Sequence, residues 1–506
     1  MTSIHDALGR LWDANDRDRM LECGGRWASW GSVRSLTERI DQELTAARCQ
    51  KGGRVAVVLS NRMESVAALI AIFRGRRTLV SISPLQPPDR LSADLAASAV
   101  SLVLAPAALW SNEVFNRAVA DLGATGWGLD EGEIAMRVRG TTEAVSGDPA
   151  VAIEMLTSGT TGAPKRIPLT RAQLEASLAA ALRHNDRPEI RTKPPLTGTV
   201  GLVTLPIVHI GGLWSLLQSL VAARPIAMLD RFTLQGWHAV VTKYRPAVAG
   251  LPPAAMRSVL DSDIPREDLA SIRAINAGTS PVDPALVDAF FERFGIPILV
   301  VYGATEFSGA VAGWTVSDFH VRWGDKKGSV GRAFPGVRLQ IVGEDGAVLA
   351  PGVTGRLQVA TPQAGNSGES WFTTSDLAHL DAEGFLYIDG RADDVIVRGG
   401  FKVSPETVLR ALRAHPSVAD AAVAPVPDQR LGQIPVAAVE LRPGAAADGE
   451  ALHEHCRAIL TPYEVPARIF VVDELPRGAA LKVDRRRLIA MLEDLGLPTV
   501  QPAGAG

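Results

Sequence analysis

The chain has 506 residues, of which 46% are hydrophobic and 21% charged, so low-complexity disorder and collagen-like repeats are excluded and buried cores are expected. At ~150 residues per domain, the length predicts about three folding units. Lys and Arg total 52 against 55 Asp and Glu, a net charge of −3, so bulk charge points to neither a nucleic-acid partner nor an anionic membrane surface.

The opening Met1-Thr-Ser-Ile-His-Asp6 has no basic and apolar regions of the signal-peptide kind. Cys23, Cys49 and Cys456 are too few and too scattered for a disulfide framework or a zinc site, and a reducing, cytoplasmic setting is expected. Next to Cys456, His453 and His455 stand two apart, a spacing that sends side chains to different helix faces, so a polar surface helix is expected there rather than a metal centre. The most apolar stretch, Leu202 to Leu229, is interrupted by Pro206, His209, Gly211, Gly212, Gln218 and Arg224, and no membrane span is expected.

From Arg54 onward two hydrophobic periods alternate. Arg54 to Leu59 reads as a buried strand, Arg62 to Phe73 as an amphipathic helix and Thr78 to Ile82 as a strand. The beat returns with a helix over Gly212 to Ala222, a strand over Pro225 to Leu229, a helix over Trp237 to Tyr244 and a strand over Pro246 to Gly250. It continues with strands at Ile272 to Asn276 and Ile298 to Val301 around a helix at Pro284 to Phe294. Such alternation predicts wound α/β layers with mainly parallel sheets, whose ligands sit where strands run out. After about Gly328, alternating segments at Val337 to Val342 and Gly355 to Val359, separated by turn residues, predict antiparallel strands, and the turn Asp381 to Gly384 leads into a strand at Phe385 to Ile388. A smaller pattern follows, with a helix over Pro405 to Ala414 and strands over Val418 to Val426 and Pro435 to Leu441. The expected organisation is a large α/β domain over 1–390 with an antiparallel β portion, a join at 391–394 and a small mobile α+β domain over 395–506.

Three segments carry recognisable chemistry. In Leu156-Thr-Ser-Gly-Thr-Thr-Gly-Ala-Pro-Lys165, Gly159 and Gly162 let the backbone approach a polyanion. Thr157, Ser158, Thr160 and Thr161 add hydroxyls, and Lys165 adds a point charge suited to phosphate. The spacing does not match the G-x-x-x-x-G-K-[ST] phosphate loop. In Val301-Tyr-Gly-Ala-Thr-Glu306, Tyr302 can stack on a purine, Thr305 can bond phosphate and Glu306 can hold Mg²⁺. Phe372-Thr-Thr-Ser-Asp376 offers a carboxylate able to accept two hydroxyl hydrogen bonds, and Arg391 follows it.

Taken in this order, these segments resemble the adenylate-forming superfamily of acyl-CoA synthetases, peptide-synthetase adenylation domains and luciferases, over roughly Ile153 to Asp484. The resemblance implies ATP binding by Thr157, Ser158, Gly159, Thr160, Thr161, Gly162 and Lys165 at the phosphates. It implies that Gly278, Thr279, Tyr302 and Gly303 border the adenine, with Thr305 at phosphate and Asp376 and Arg391 at the ribose. Thr160 and Glu306 would serve Mg²⁺, Asp393 would be the hinge, and Gly399 and Gly400 would flank the pantetheine arm of CoA. In Leu475 to Arg485, Lys482 falls at the catalytic lysine, and His209 falls at the edge of the acyl pocket. Five positions depart from the family pattern: Arg166, Ser375 and Leu481 stand where glycine is common, and Val300 and Val301 precede Tyr302 where polar or small residues are common.

The implied reaction joins a small carboxylic acid and ATP into acyl-AMP and pyrophosphate, then passes the acyl group to CoA with release of AMP. Two other acceptors remain open, a carrier protein's phosphopantetheine arm and an amine or other non-CoA nucleophile. A non-catalytic nucleotide sensor would have no use for Lys482. The resemblance suggests an aryl or short-to-medium acyl acid.

Overall fold

The computed structural model describes residues 3–157, 165–185, 194–278, 280–365, 369–399, 401–428, 430–478 and 481–497. Its first large sheet has seven strands, with Arg54–Val58 and Thr78–Ile82 near the middle and parallel neighbours at Leu102–Pro106, Thr125–Asp130 and Val151–Thr157. Antiparallel strands Glu133–Val138 and Lys165–Thr170 close its two edges. The expected parallel winding is present, and the edges are where it gives way to hairpins.

The helix Met63–Arg74 corrects the amphipathic expectation. Every residue from Ser65 to Phe73 is buried. A helix apolar on all sides belongs between layers rather than on a surface, and this one shares a single core with the helices Trp30–Ala46 and Ile210–Val221.

The second sheet runs Val248–Gly250, Ala274–Ala277, Ile298–Ala304, Gly309–Gly313 and Arg332–Ala333. Its first two pairings are parallel and its last two antiparallel. A four-stranded sheet adds Gly201–Val203 and Ile226–Met228, parallel to each other and to Arg19–Cys23, with Arg26–Ser29 antiparallel at the edge.

The expected antiparallel portion is the sheet Arg338–Val342, Gly355–Ala360, Phe372–Leu380 and Leu386–Arg391. It ends at Arg391, and the next strand, Ile396–Arg398, belongs to a different sheet. That last sheet pairs the long strands Val418–Asp428 and Gly432–Leu441 antiparallel, with Arg468–Val472 parallel to the second. The helices Pro405–Arg413 and Gly449–Ile459 share its first core. Arg485–Asp494 packs through Leu488 and Leu492 with Ala422, Ala424 and Val436.

No helix among the described residues is long and apolar enough to cross a membrane. His453 and His455 each turn a ring nitrogen toward a backbone carbonyl, that of Pro466 at 3.0 Å and that of Ala411 at 2.9 Å, while Cys456 is fully buried. No group of three or more His, Cys, Asp or Glu among the described residues is placed to hold a metal ion.

Candidate active site

The parallel strands Ala274–Ala277 and Ile298–Ala304 run out side by side, with Ala277 opposite Val300. Gly278 follows the first, and a Cβ there would lie 2.8 Å from the Val301 side chain, so only glycine lets the two strand ends approach this closely. The second delivers Tyr302, Gly303 and then the single turn Thr305–Phe307 with Glu306 at its middle. A Cβ on Gly303 would meet the Gly309 carbonyl oxygen at 2.2 Å, so this glycine is needed for the next strand to pair. Glu306 is half-buried and has no hydrogen-bond or ion-pair partner among the described residues.

A different sheet brings in the acid. Asp376 and Arg391 are cross-strand partners, and the Tyr302 hydroxyl donates to Oδ2 of Asp376 across 74 residues of sequence. The Asp376 amide donates to the Thr374 hydroxyl at 3.0 Å, which fixes the carboxylate's base. Burial pushes the Asp376 carboxyl above the usual range, against the pull of Tyr302 and Arg391. Burial and the Asp376 charge drive the Tyr302 phenol far above its ordinary value, so it stays a donor.

Arg391 donates to the Ser375 hydroxyl and pairs with Asp393 at 3.0 Å. Burial opposes its charge, but Asp393, Asp376 and Asp394 outweigh that and raise its pKa. Asp394 in turn pairs with Arg485, 91 residues further along, tying the start of the last helix to the join. Ser404 closes the same region by donating to the Asp389 carbonyl at 3.2 Å.

Lys482 arrives from the far end of the chain. Its ammonium lies within electrostatic reach of Arg391, Asp394 and Asp376. Protein atoms crowd around it and lower its pKa, with Arg391 adding to the effect, yet the side chain keeps access to solvent, as a group facing a cleft does. His209 shows the same combination of exposure and a pKa depressed by surrounding protein. It stands at the N-cap of the helix Ile210–Val221 but makes no side-chain capping bond.

The segment before His209 is pinned by Asn61, a residue the sequence did not single out. Its side-chain amide donates to the carbonyls of Leu205 at 3.0 Å and Leu229 at 2.7 Å, and its oxygen accepts from the Ile207 amide at 2.9 Å. A lone buried Asn has no local pattern, and only its satisfied bonds reveal the role.

Of the segment Leu156 to Lys165, the structure describes Leu156, the Thr157 backbone and Lys165, the last two facing each other across an antiparallel register. Ser158, Gly159, Thr160, Thr161 and Gly162 lie outside the described residues, as do Thr279 and Gly400. Gly399 forms part of the turn between Ile396–Arg398 and Phe401–Val403, at φ +57°, and its amide donates to Leu431 at 2.7 Å. Its bonds run within the small sheet rather than to Tyr302, Asp376 and Arg391.

Each departure from glycine has found a partner. Arg166 donates to the Ser81 carbonyl at 3.0 Å and pairs with buried Asp94. Ser375 receives Arg391. Leu481 adopts φ +58° and packs against an apolar cluster of the large domain.

The AMP-binding enzyme family matches residues 12–366, and the AMP-binding enzyme C-terminal domain matches residues 410–482. Among curated relatives, 4-coumarate–CoA ligase-like 9 of Arabidopsis thaliana is 31% identical over 69% of this chain, and the match spans 63% of that protein's length. The 2-succinylbenzoate–CoA ligase of Geobacillus kaustophilus is 30% identical over 88% of this chain and 89% of its own. Among solved structures, ATP-bound MatB from Rhodopseudomonas palustris superposes with a TM-score of 0.82 at 22% identity, covering 98% of this chain and 100% of its own. The o-succinylbenzoate CoA synthetase of Bacillus subtilis, held with its acyl-adenylate, gives 0.78 at 26% identity over 96% and 98%. With both family domains matched in order along one chain, this protein belongs to the AMP-binding enzyme family, the adenylate-forming enzymes, and its curated relatives named here are CoA ligases.

Proposed function

We propose that this chain is an AMP-forming carboxylic acid–CoA ligase, cytoplasmic, whose acid is aryl or short-to-medium acyl. One observation carries the reading: Lys482, in the turn before the last helix, lies within electrostatic reach of Asp376 and Arg391, the residues joined to Tyr302. A plain nucleotide binder gains nothing from a cation brought there, whereas an adenylating enzyme needs a charge where acid and α-phosphate meet.

A free carboxylate is a poor electrophile, and its oxygen leaves only after attachment to a phosphoryl group. In the first half-reaction the substrate carboxylate attacks the α-phosphorus of ATP, the bond to the bridging oxygen breaks, and pyrophosphate departs. Asp376 accepts the two ribose hydroxyls, oriented by the Tyr302 hydroxyl and flanked by Arg391. The end of the strand at Tyr302 and the Gly278 backbone border the adenine. Lys482 offsets the negative charge that gathers between carboxylate and α-phosphate; surrounding protein and Arg391 lower its pKa, and Asp394 and Asp376 work in the opposite direction.

Glu306, half-buried and without a described partner, suits a hard divalent cation. Mg²⁺ bound there with Thr160 would screen the phosphate charge. The Thr157–Lys165 segment would hold the β- and γ-phosphates. In the second half-reaction the CoA thiolate attacks the acyl carbonyl and AMP leaves. We place the large domain at 1–390, the hinge at 391–394 around Asp393, and the small domain at 395–506, with Gly399 and Gly400 beside the CoA arm after the domain turns. His209 borders the acyl pocket.

The test is ATP–pyrophosphate exchange with 4-coumarate, 2-succinylbenzoate, octanoate and phenylalanine, followed by consumption of free CoA. Exchange with CoA turnover supports the ligase. Exchange without it shifts the acceptor to a carrier protein or an amine, and absence of exchange with every acid would leave only a nucleotide sensor.

A further inference from the structure

Leu481 immediately precedes Lys482, and its backbone lies in the left-handed region at φ +58°. A leucine rarely adopts that conformation, because its Cβ crowds the following carbonyl. Local bonds hold it there. The Gly478 amide donates to the Lys482 carbonyl at 2.8 Å, the Leu481 amide donates to the Gly478 carbonyl at 2.9 Å, and Arg477 bridges to Val483. Strained positions persist when their surroundings over-determine them, and here the side chain supplies a reason. Leu481 packs against the apolar cluster that contains Trp314 and Phe385, whose other described members all lie between Leu202 and Tyr387. It is thus an apolar contact from the lysine turn onto the large domain.

We infer that Leu481 is a positioning residue, an apolar anchor that seats the Lys482 turn on the large domain for adenylation and has to be withdrawn before acyl transfer. The inference rests on the proposed role of Lys482. Seating the leucine fixes the turn's docking, and the left-handed backbone at 481 aims the next side chain. The anchor therefore selects one arrangement of the small domain.

The experiment uses the full chain, the acid that exchanges fastest in the panel, and its synthetic acyl-AMP for the second half-reaction. Truncating a half-buried leucine removes apolar contact from the adenylating arrangement alone, so Leu481→Ala should slow acyl-AMP formation about tenfold. Transfer from supplied acyl-AMP to CoA should stay at the wild-type rate or rise. Leu481→Gly suits the left-handed backbone but has no anchor, and it should lose as much as Leu481→Ala. Leu481→Met keeps an apolar anchor and should recover most of the rate.

A merely structural role would lower both half-reactions together with the melting temperature, and that result would overturn the anchor. So would full adenylation by Leu481→Ala alongside loss of adenylation in Lys482→Ala. Intact adenylation in Lys482→Ala would instead remove the reading of Lys482 itself, and the anchor with it.

Discussion

The Tyr302 hydroxyl donates its hydrogen bond to the Asp376 carboxylate, joining a strand of the mixed five-stranded sheet to a strand of an antiparallel one. The bond orients an acid whose burial already works against its charge. Tyr302→Phe keeps the ring and loses the donor. A hydrogen bond to a charged group contributes about 1.5–3 kcal/mol, so KM for ATP should rise on the order of tenfold or more with the fold intact. Because that bond pulls the Asp376 pKa down, its loss should also move the acid limb of the ATP-dependent rate to higher pH. Steady-state kinetics across pH 5 to pH 8 check both.

Burial makes Asp376 hold its proton more tightly in the folded state than in the unfolded one. The associated stability is present at low pH and is lost as pH rises through the raised, folded pKa. Asp376→Asn removes this dependence. The variant should therefore gain melting temperature over the wild type at pH 7, and the gain should shrink toward pH 4 while ATP binding weakens. A constant offset at both pH values would contradict the burial argument.

Lys482→Ala removes one preorganised charge from the reacting centre. Such a loss typically costs ~2.7–4 kcal/mol, or roughly a hundred- to a thousand-fold in rate. Acyl-AMP formation should fall by that order, and transfer from synthetic acyl-AMP to CoA should be largely spared. Rapid-quench assays of the two half-reactions separate the effects, and near-wild-type adenylation would make Lys482 an ordinary cleft lysine.

Glu306→Gln keeps the shape of the side chain but loses its charge. The Mg²⁺ concentration needed for half-maximal pyrophosphate exchange should rise at least by the ~10–100-fold that loss of an outer-shell partner alone costs a metal site. An unchanged Mg²⁺ dependence would dismiss Glu306 as a metal ligand.

Asp393→Pro tests the join. Proline fixes φ near −65° and obstructs backbone rotation, so adenylation should persist while thioester formation is lost. The substitution also removes the 3.0 Å pair with Arg391, a partly exposed contact of about 0–1 kcal/mol. Asp393→Ala controls for that. Equal losses in both half-reactions would count against rotation at 393.

The wound α/β character and most of the large domain's strands were legible in the sequence because hydrophobic period and turn residues are local properties. Thr78–Ile82 and Pro284–Phe294 have the bounds that pattern alone suggests. The helix Met63–Arg74 was legible as a helix but not as a fully buried one, since burial depends on which layers close over it. The candidate site was legible as motifs: Tyr302, Glu306 and Asp376 each sit in a short run whose residue types suit one piece of nucleotide chemistry, and Lys482 is reached through the family resemblance.

What the sequence by itself determined was therefore the parts and their order, because a motif's chemistry is carried by neighbours along the chain. Only the tertiary structure decided their relations. The Tyr302–Asp376 bond, the return of Arg485 to Asp394, the three bonds of Asn61 and the seat of Leu481 all join residues far apart in sequence. Such contacts depend on the closing of sheets and domains, and no local run encodes them. The glycine departures make the same point: at 166, 375 and 481 the chain predicts only added bulk, and the fold turns that bulk into an ion pair, a hydrogen-bond acceptor and an apolar contact, because a side chain is stabilised by whatever the folded chain packs against it.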